Sequence, residues 1–517
     1  MAATALDVPL PYPPSHTSEL QVSLLGEDVL ELVGFRCALP SGAPYVPDQS
    51  DPLFLYEFHQ LGWLVGALAR LDRNESQAQR LVDWLEAYAD YEHPSSSPYW
   101  DAYPLAARLL GLLPLHAMGR LRRPAIERAL HSWSLAILGL QETHLLGNHL
   151  LRSRAAAAAA SLFLEGVVAR NLTTRVWRAL AREAEKQFLP DGVHEERTPA
   201  YHLLCLSDLL VCLALSRSVR FAAPQSERER VERVAERALA AADVFTHEDG
   251  RVAAFGDSAP DSALRPADLL AFAEFVDVRA RGVMERNQAG DWERRTARDG
   301  GFSVIRRAGV AIYLSHGAFG AVHQPGHAHC DLFAFELDVD GQRVIVDPGV
   351  HAYHEVEWRG RSRASAEHAT PSLRDREQAE IWSRFRCGWR PRVEQTLWQQ
   401  NTAGWIAEMR AIAFGPEAIP LRRTLELHDN QIVVTDTLPA VFSVALPLAP
   451  EVEVNTTENG AVLMHPRTRR RILLRLACGR LAIEPCFISH SFGAKVPSRR
   501  LRLFSEGNAR LSWSLRA

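Results

Sequence analysis

The hydrophobic pattern of the chain changes period close to Gly300, and that change restricts it to a fold in two parts. From Leu53 to about Arg295, apolar residues recur at spacings of three and four among Ala, Leu, Arg and Glu, the mark of amphipathic helices. Breaks fall at Pro94 to Pro98, Pro114, Pro124, Pro190, Pro224 and Pro260. The spacing predicts helices over Tyr56–Leu71, Ser76–Tyr91, Arg123–Leu140, Leu150–Arg170, Thr173–Gln187, Tyr201–Ser216, Glu227–Val244 and Pro266–Arg279. Eight or more helices on short loops suggest stacked helical hairpins, an arrangement that can curl into a ring.

Past Gly300 the alternation is that of strands: Phe302–Ile305, Val310–Leu314, Phe333–Val339, Arg343–Val346, Trp405–Ala413, Leu421–Leu427, Gln431–Thr437, Arg471–Leu476, Leu481–Cys486 and Arg500–Phe504. Many short strands with turn residues between them imply an antiparallel sandwich. The expected organisation is α+β: an irregular, proline-rich arm over residues 1–50, a helical domain over 51–297 and a β-sandwich over 298–517, with the boundary in the polar run Asp291 to Gly301. At 517 residues the chain is too long for one ordinary core.

A net charge of −4 from 58 basic and 62 acidic residues gives no global attraction to nucleic acid, so an anionic ligand must be held locally. Arg359, Arg361 and Arg363 are the candidate cluster. Seven scattered cysteines without CxxC pairs imply no disulfide framework, and Cys330 reads as a small buried thiol. Met1 to His16 carries no positive residue and no apolar core, so it does not read as a secretory signal, and no apolar run reads as a membrane span. The expected compartment is the cytoplasm, or the periplasm or exterior if the sequence is a mature form.

The chemistry concentrates between His323 and Thr370. Gly326-His327-Ala328-His329-Cys330-Asp331 precedes two alternating runs joined at Asp340-Gly341, a β-hairpin signal that carries Asp347 back toward His329. On an extended segment His327 and His329 share a face. Two imidazoles and a carboxylate suit zinc, or another divalent ion, with a solvent position left over. In the helical half, Gly147-Asn148-His149 opens a helix, where the plain reading is capping and the functional one an amide beside an imidazole suited to an anion. Asp191-Gly192-Val193-His194-Glu195-Glu196-Arg197-Thr198-Pro199-Ala200-Tyr201-His202 leads into another helix, and Phe255-Gly256-Asp257-Ser258 reads as a turn.

Taken in order, Asn148-His149-Leu150-Leu151, the stretch from Asp191 to His202, Gly256-Asp257-Ser258, Gly326 to Asp331, Val346-Asp347-Pro348-Gly349 and His368 with Thr370 resemble the heparinase II/III-type polysaccharide lyases, a group with heparin, heparan and alginate-type lyases. The resemblance covers about residues 50 to 375. It implies an N-terminal (α/α) toroid followed by an antiparallel β-sandwich, with a cleft between them where a uronate-containing glycan, an anionic polysaccharide or oligosaccharide, is split by β-elimination. It further implies a structural zinc site of His329, Asp347 and His368; for the reaction, Asn148, His149, Tyr201, His202 and His327 are the candidate catalytic residues, and Arg197, Asp257, Arg359 and Arg363 the candidate substrate contacts. Where the family commonly has His-Asn-Thr, this chain has His368-Ala369-Thr370. Two other functions compete: a non-catalytic or biosynthesis-associated glycan-binding protein of the same fold, and a metal-dependent glycan hydrolase.

Overall fold

The computed structural model describes residues 29–33, 35–38, 51–71, 76–218, 223–282, 284–428, 431–468, 470–505 and 510–516. Most of the expected N-terminal arm lies outside them. What is described there is an antiparallel hairpin of β1 (Val29–Leu32) and β2 (Phe35–Ala38), not an irregular path. The chain divides into two compact units. One comprises Met1–Gly192, Tyr201–Leu239 and Ser262–Gly282, and the other Val193–Ala200, Ala240–Asp261 and Val283–Ala517.

The helices are α1 (Pro52–Gln60), α2 (Gly62–Arg70), α3 (Ser76–Asp90), α4 (Ala102–Ala117), α5 (Pro124–Gly139), α6 (Gly147–Ser161), α7 (Val167–Gln187), α8 (Pro199–Ser218), α9 (Gln225–Ala241) and α10 (Pro266–Phe275). Helix α4 packs against α1, α2, α5 and α6, and α6 against α7. Ala155 to Ala160 of α6 are fully or nearly fully buried, so this small-residue run lets the neighbouring helices approach closely. Three expected boundaries shift. Leu61, at φ 59°, ends α1 and starts α2, splitting the helix expected over Tyr56–Leu71. The helix expected over Leu150–Arg170 stops at Ser161 and resumes after Gly166 at φ 100°. Pro114, expected as a break, sits inside α4, where burial of Leu112, Leu113 and Leu115 outweighs the lost hydrogen bond. Helix α8 is long and apolar enough to cross a membrane by length and composition, and 94% of that apolar window, in Pro199–Arg217, is buried inside the protein.

In the second unit a six-stranded antiparallel meander runs β3 (Glu285–Ala289), β4 (Trp292–Ala297), β5 (Phe302–Arg307), β6 (Val310–Ser315), β7 (Phe335–Val339) and β8 (Gln342–Ile345). Its first two strands precede residue 298, where the sandwich was expected to begin. Their polar outer residues disguised them as linker. Helix α11 (Val356–Arg363) follows. Then come β9 (Pro371–Ser372), β10 (Ile381–Trp382), β11 (Arg386–Cys387), β12 (Arg392–Gln400), β13 (Trp405–Ala413), β14 (Ile419–His428), β15 (Gln431–Thr437), β16 (Ser443–Pro447), β17 (Glu453–Thr457), β18 (Gly460–Met464), β19 (Ile472–Cys478), β20 (Arg480–Ile488), β21 (Val496–Phe504) and β22 (Arg510–Arg516). They build an eight-stranded sheet ordered β12-β13-β14-β15-β22-β19-β18-β17, a four-stranded sheet ordered β20-β21-β16-β9, and the small pair β10-β11. Strand β13 shows why: Trp405, Ala407, Met409, Ala411 and Ala413 alternate inward. They join Ile312 of the meander and Leu503 of the four-stranded sheet in one hydrophobic core.

Candidate active site

In the helical unit the chemistry gathers at the start of α6. Leu146, just before it, is held at φ 62° and ψ −154°, a region that side-chain-bearing residues rarely adopt and that is usually found where function over-determines the backbone. The Gln187 amide donates to the Gly147 carbonyl at 2.8 Å and fixes this turn from α7. Asn148 is buried, at 2% exposure, in the first turn. Beside it His149 places Nδ1 3.1 Å from Oε2 of Glu142, and the Tyr103 ring lies 4.5 Å away, centroid to centroid.

One turn further along, Arg152 forks onto Asp208 of α8, with Nε at 3.0 Å and Nη2 at 3.2 Å, and its guanidinium lies 4.8 Å from the Tyr103 ring. This buried ion pair ties the helix carrying Asn148 and His149 to the helix whose first turn carries the half-buried Tyr201. Burial pushes the Tyr103 hydroxyl well above its usual value; Arg152 opposes this, while Tyr201 and Asp208 add to it. His202, expected among the catalytic groups, is instead buried, its Nε2 3.0 Å from the Ala238 carbonyl and its ring against Phe188. It faces into α8's packing.

In the β unit, Asp257 is the hub. The turn bearing it packs so tightly that a Cβ on Gly256, at φ 59°, would lie 2.8 Å from the His327 carbonyl. The Asp257 amide donates to that carbonyl at 3.0 Å. Its carboxylate meets His327 Nδ1 and His329 Nε2, each at 2.8 Å, and takes the fork of Arg359, whose Nη2 lies 2.8 Å from Oδ2. Burial would raise the Asp257 carboxyl, but Arg359 and then the two histidines hold it well below the usual range. Burial drives His329 down to about 3 against Asp257, so its neutral ring donates from Nε2 to the carboxylate. Nδ1 of His329 is buried without a hydrogen-bond partner.

The His329 and His368 rings stand 5.3 Å apart, and His368 places Nδ1 2.7 Å from Asp347 Oδ2 and Nε2 3.0 Å from the Ser362 carbonyl. Burial opposes charge on His368, but Asp347 outweighs it and pushes the ring up to about 9. Each histidine thus has its outer nitrogen on an acceptor and its Nδ1 turned elsewhere, the pattern of imidazoles that bind an ion. Among the described residues no three such side chains stand in ligand geometry, because Asp347 and His368 contact each other directly. Two imidazoles and a carboxylate nevertheless fit an ion in kind.

The structure gives protein partners to the residues expected to contact substrate. Asp257 is fully buried and serves the histidines. Arg359 and Arg363 are buried too. On α11 they lie four residues apart and share the inward face, while Arg361, between them, is exposed and stacks on Trp358 at 4.8 Å. Arg363 donates to the carbonyl of Ala328 at 3.1 Å. Arg197, at φ 51°, donates to the carbonyls of Glu195, Gly320 and Asp299, so it braces loops. His327 and His329 share Asp257 from a turn, not from the extended segment expected. The expected hairpin forms as read, with Asp340 at φ 49° and Gly341 at φ 72° joining β7 and β8.

Sequence reasoning missed Glu142, Tyr103, Arg152 and Asp208, which carry no motif. It also missed the brace that stands where the family's Asn is absent. There Gln378 donates to Thr370 Oγ1 at 2.8 Å and accepts from the Leu332 amide at 3.0 Å, while Arg423 donates to the Ala369 carbonyl at 2.6 Å.

A profile of the heparinase II/III N-terminus matches residues 140–275, and one of the heparinase II/III-like C-terminal region matches residues 289–514. The chain belongs to the heparinase II/III-like family. Membership makes it an enzyme of the polysaccharide-lyase kind. No curated protein matches it. Among solved structures it is similar to a heparinase III, with TM-score 0.71 and 14% identity over 91% of this chain and 78% of that one. It is also similar to a variant of the heparan sulfate lyase HepC from Pedobacter heparinus, with TM-score 0.58 and 16% identity over 91% and 78%. A chondroitin AC lyase variant from Streptomyces coelicolor A3 matches with TM-score 0.50 and 12% identity over 98% and 77%. These likenesses establish the fold: an (α/α) toroid followed by antiparallel β-sheets.

Proposed function

We propose that this heparinase II/III-like protein cleaves a uronic-acid-containing glycan by β-elimination, leaving an unsaturated uronate on one product. The observation that carries the reading is the group at the start of α6 and α8: Asn148, the Glu142-paired His149 and Tyr201 on helices tied by Arg152 and Asp208. Elimination needs the uronate carboxylate neutralised, the proton on carbon 5 removed and the bridging oxygen protonated. As the base takes that proton, its electron pair forms the C4–C5 double bond and the C4–O bond breaks, with no water consumed. Negative charge builds on the carboxylate as the proton leaves, and a preorganised donor aimed at it is worth about 2.7–4 kcal/mol. Asn148 supplies that donor, His149 or Tyr201 takes the proton, and Tyr201 protonates the leaving oxygen. Within the β unit, Asp257 orients His327 through Nδ1.

His329, Asp347 and His368 would hold a zinc or other divalent ion. The partnerless Nδ1 of His329 and the acceptors on the outer nitrogens of both histidines support this. Bound there, the ion would be structural, cross-linking the segment after β8 to the His368 loop.

The test is a panel of heparan, chondroitin, hyaluronan, alginate and bacterial capsular uronans, followed by ultraviolet absorbance of the unsaturated product. Growth of that band with at least one polymer is expected. Binding without it on every polymer would favour a non-catalytic glycan-binding protein. Chain shortening without it would favour a hydrolase.

A further inference from the structure

We infer that Glu142 is a positioning residue for His149: its carboxylate holds the ring in the Nδ1–H tautomer, so that Nε2 is the atom that works on substrate. The inference rests on the lyase reading. An ionised carboxylate accepts hydrogen bonds and donates none, whereas a neutral imidazole has one nitrogen of each kind. With Oε2 of Glu142 3.1 Å from Nδ1, that nitrogen must carry the proton, and Nε2 is left with a lone pair.

Burial orders the pair in the same direction: the Glu142 side chain is 11% exposed and that of His149 29%. The carboxylate is therefore the more buried partner of the pair. Glu142 is itself fixed, because its carbonyl accepts from the Leu145 and Leu146 amides, both at 3.1 Å, in the turn that leads into the strained Leu146. Tyr103 closes one side of the ring, with its plane tilted 41° to it. The neutral imidazole then offers substrate a lone pair and not a proton. That suits acceptance of the C5 proton at Nε2 and leaves the carboxylate of the sugar to Asn148.

The full chain labelled with nitrogen-15 histidine decides this directly, the His149 signals being those lost in His149→Ala. Ring correlations are expected to show the neutral His149 as the Nδ1–H form alone in the unsubstituted protein. Glu142→Gln can donate or accept at the same place, so it is expected to give a mixture with the Nε2–H form, and Glu142→Ala the same. An Nε2–H ring in the unsubstituted protein, or an unchanged tautomer in both variants, overturns the inference. On a polymer that the protein cleaves, Glu142→Gln is expected to lower kcat by about 10- to 100-fold, the usual cost of losing an orienting partner, with KM little changed. A shifted tautomer with unchanged kcat also overturns it. If no uronan is cleaved, the lyase reading fails while the ring measurement still decides the tautomer.

Discussion

Tyr201 carries one hydroxyl that the proposed reaction cannot do without. Tyr201→Phe is expected to cut turnover by about 10²–10⁴-fold, the usual contribution of a positioned acid or base, with the circular dichroism spectrum unchanged. Near-normal turnover would remove Tyr201 from the mechanism. For the metal, His329→Ala is expected to lose the bound divalent ion in elemental analysis of the purified protein, and an unchanged stoichiometry would refute the site. Asp257→Ala would strand the Arg359 guanidinium in the interior, and breaking such a buried pair costs about 3–5 kcal/mol, readable by urea denaturation. The sequence picked out His327, His329, Asp347 and His368 because imidazoles and carboxylates crowd into turn segments, and the structure does bring them into contacting groups. Glu142 and Asp208 were invisible for the opposite reason. They are ordinary acids in helical surroundings, and only folding brings Asp208 to Arg152, 56 positions away.

The Arg152–Asp208 pair sets the spacing of α6 and α8, so its loss should be felt by the elements and not only by the charges. Arg152→Met leaves Asp208 buried and unpaired and is expected to cost about 3–5 kcal/mol in chemical denaturation. A loss within about 0.5 kcal/mol, the size of an ordinary surface substitution, would show that the helices are held by packing alone. Against β7 of the meander, His247 lies between Asp338, 2.8 Å from Nδ1, and Glu336, 2.9 Å from Nε2, with its ring stacked on Tyr313 and Arg343 3.5 Å from Glu336. Burial and then Arg343 oppose its charge, but the two carboxylates outweigh them and the folded value is raised. A raised folded value stabilises the protein fully below the unfolded histidine value near 6.5, and the gain is lost as pH rises through the folded value. His247→Gln is therefore expected to flatten the fall in melting temperature above neutral pH, and an identical slope would contradict this ion cluster. At this scale the β7–β8 hairpin was legible because Asp-Gly dictates its turn. The α1–α2 break was not, since Leu61 in a left-handed conformation is a tertiary outcome with no local signal.

Two-part construction is legible in the change of period alone, and the ordered motifs are those of the family whose profiles match the chain. The seam was misread because β3 is mostly exposed and polar, and because segments 193–200 and 240–261 join the β unit from within helical sequence. Those segments carry Arg197, Asp257 and His247, which is why their partners could not be found by reading along the chain. The account stands or falls on whether the glycosidic bond is cleaved without water. Mass spectrometry of the fragments measures that directly. Elimination leaves fragments whose masses sum to that of the intact glycan; a sum larger by one water per broken bond would mean hydrolysis and contradict the account.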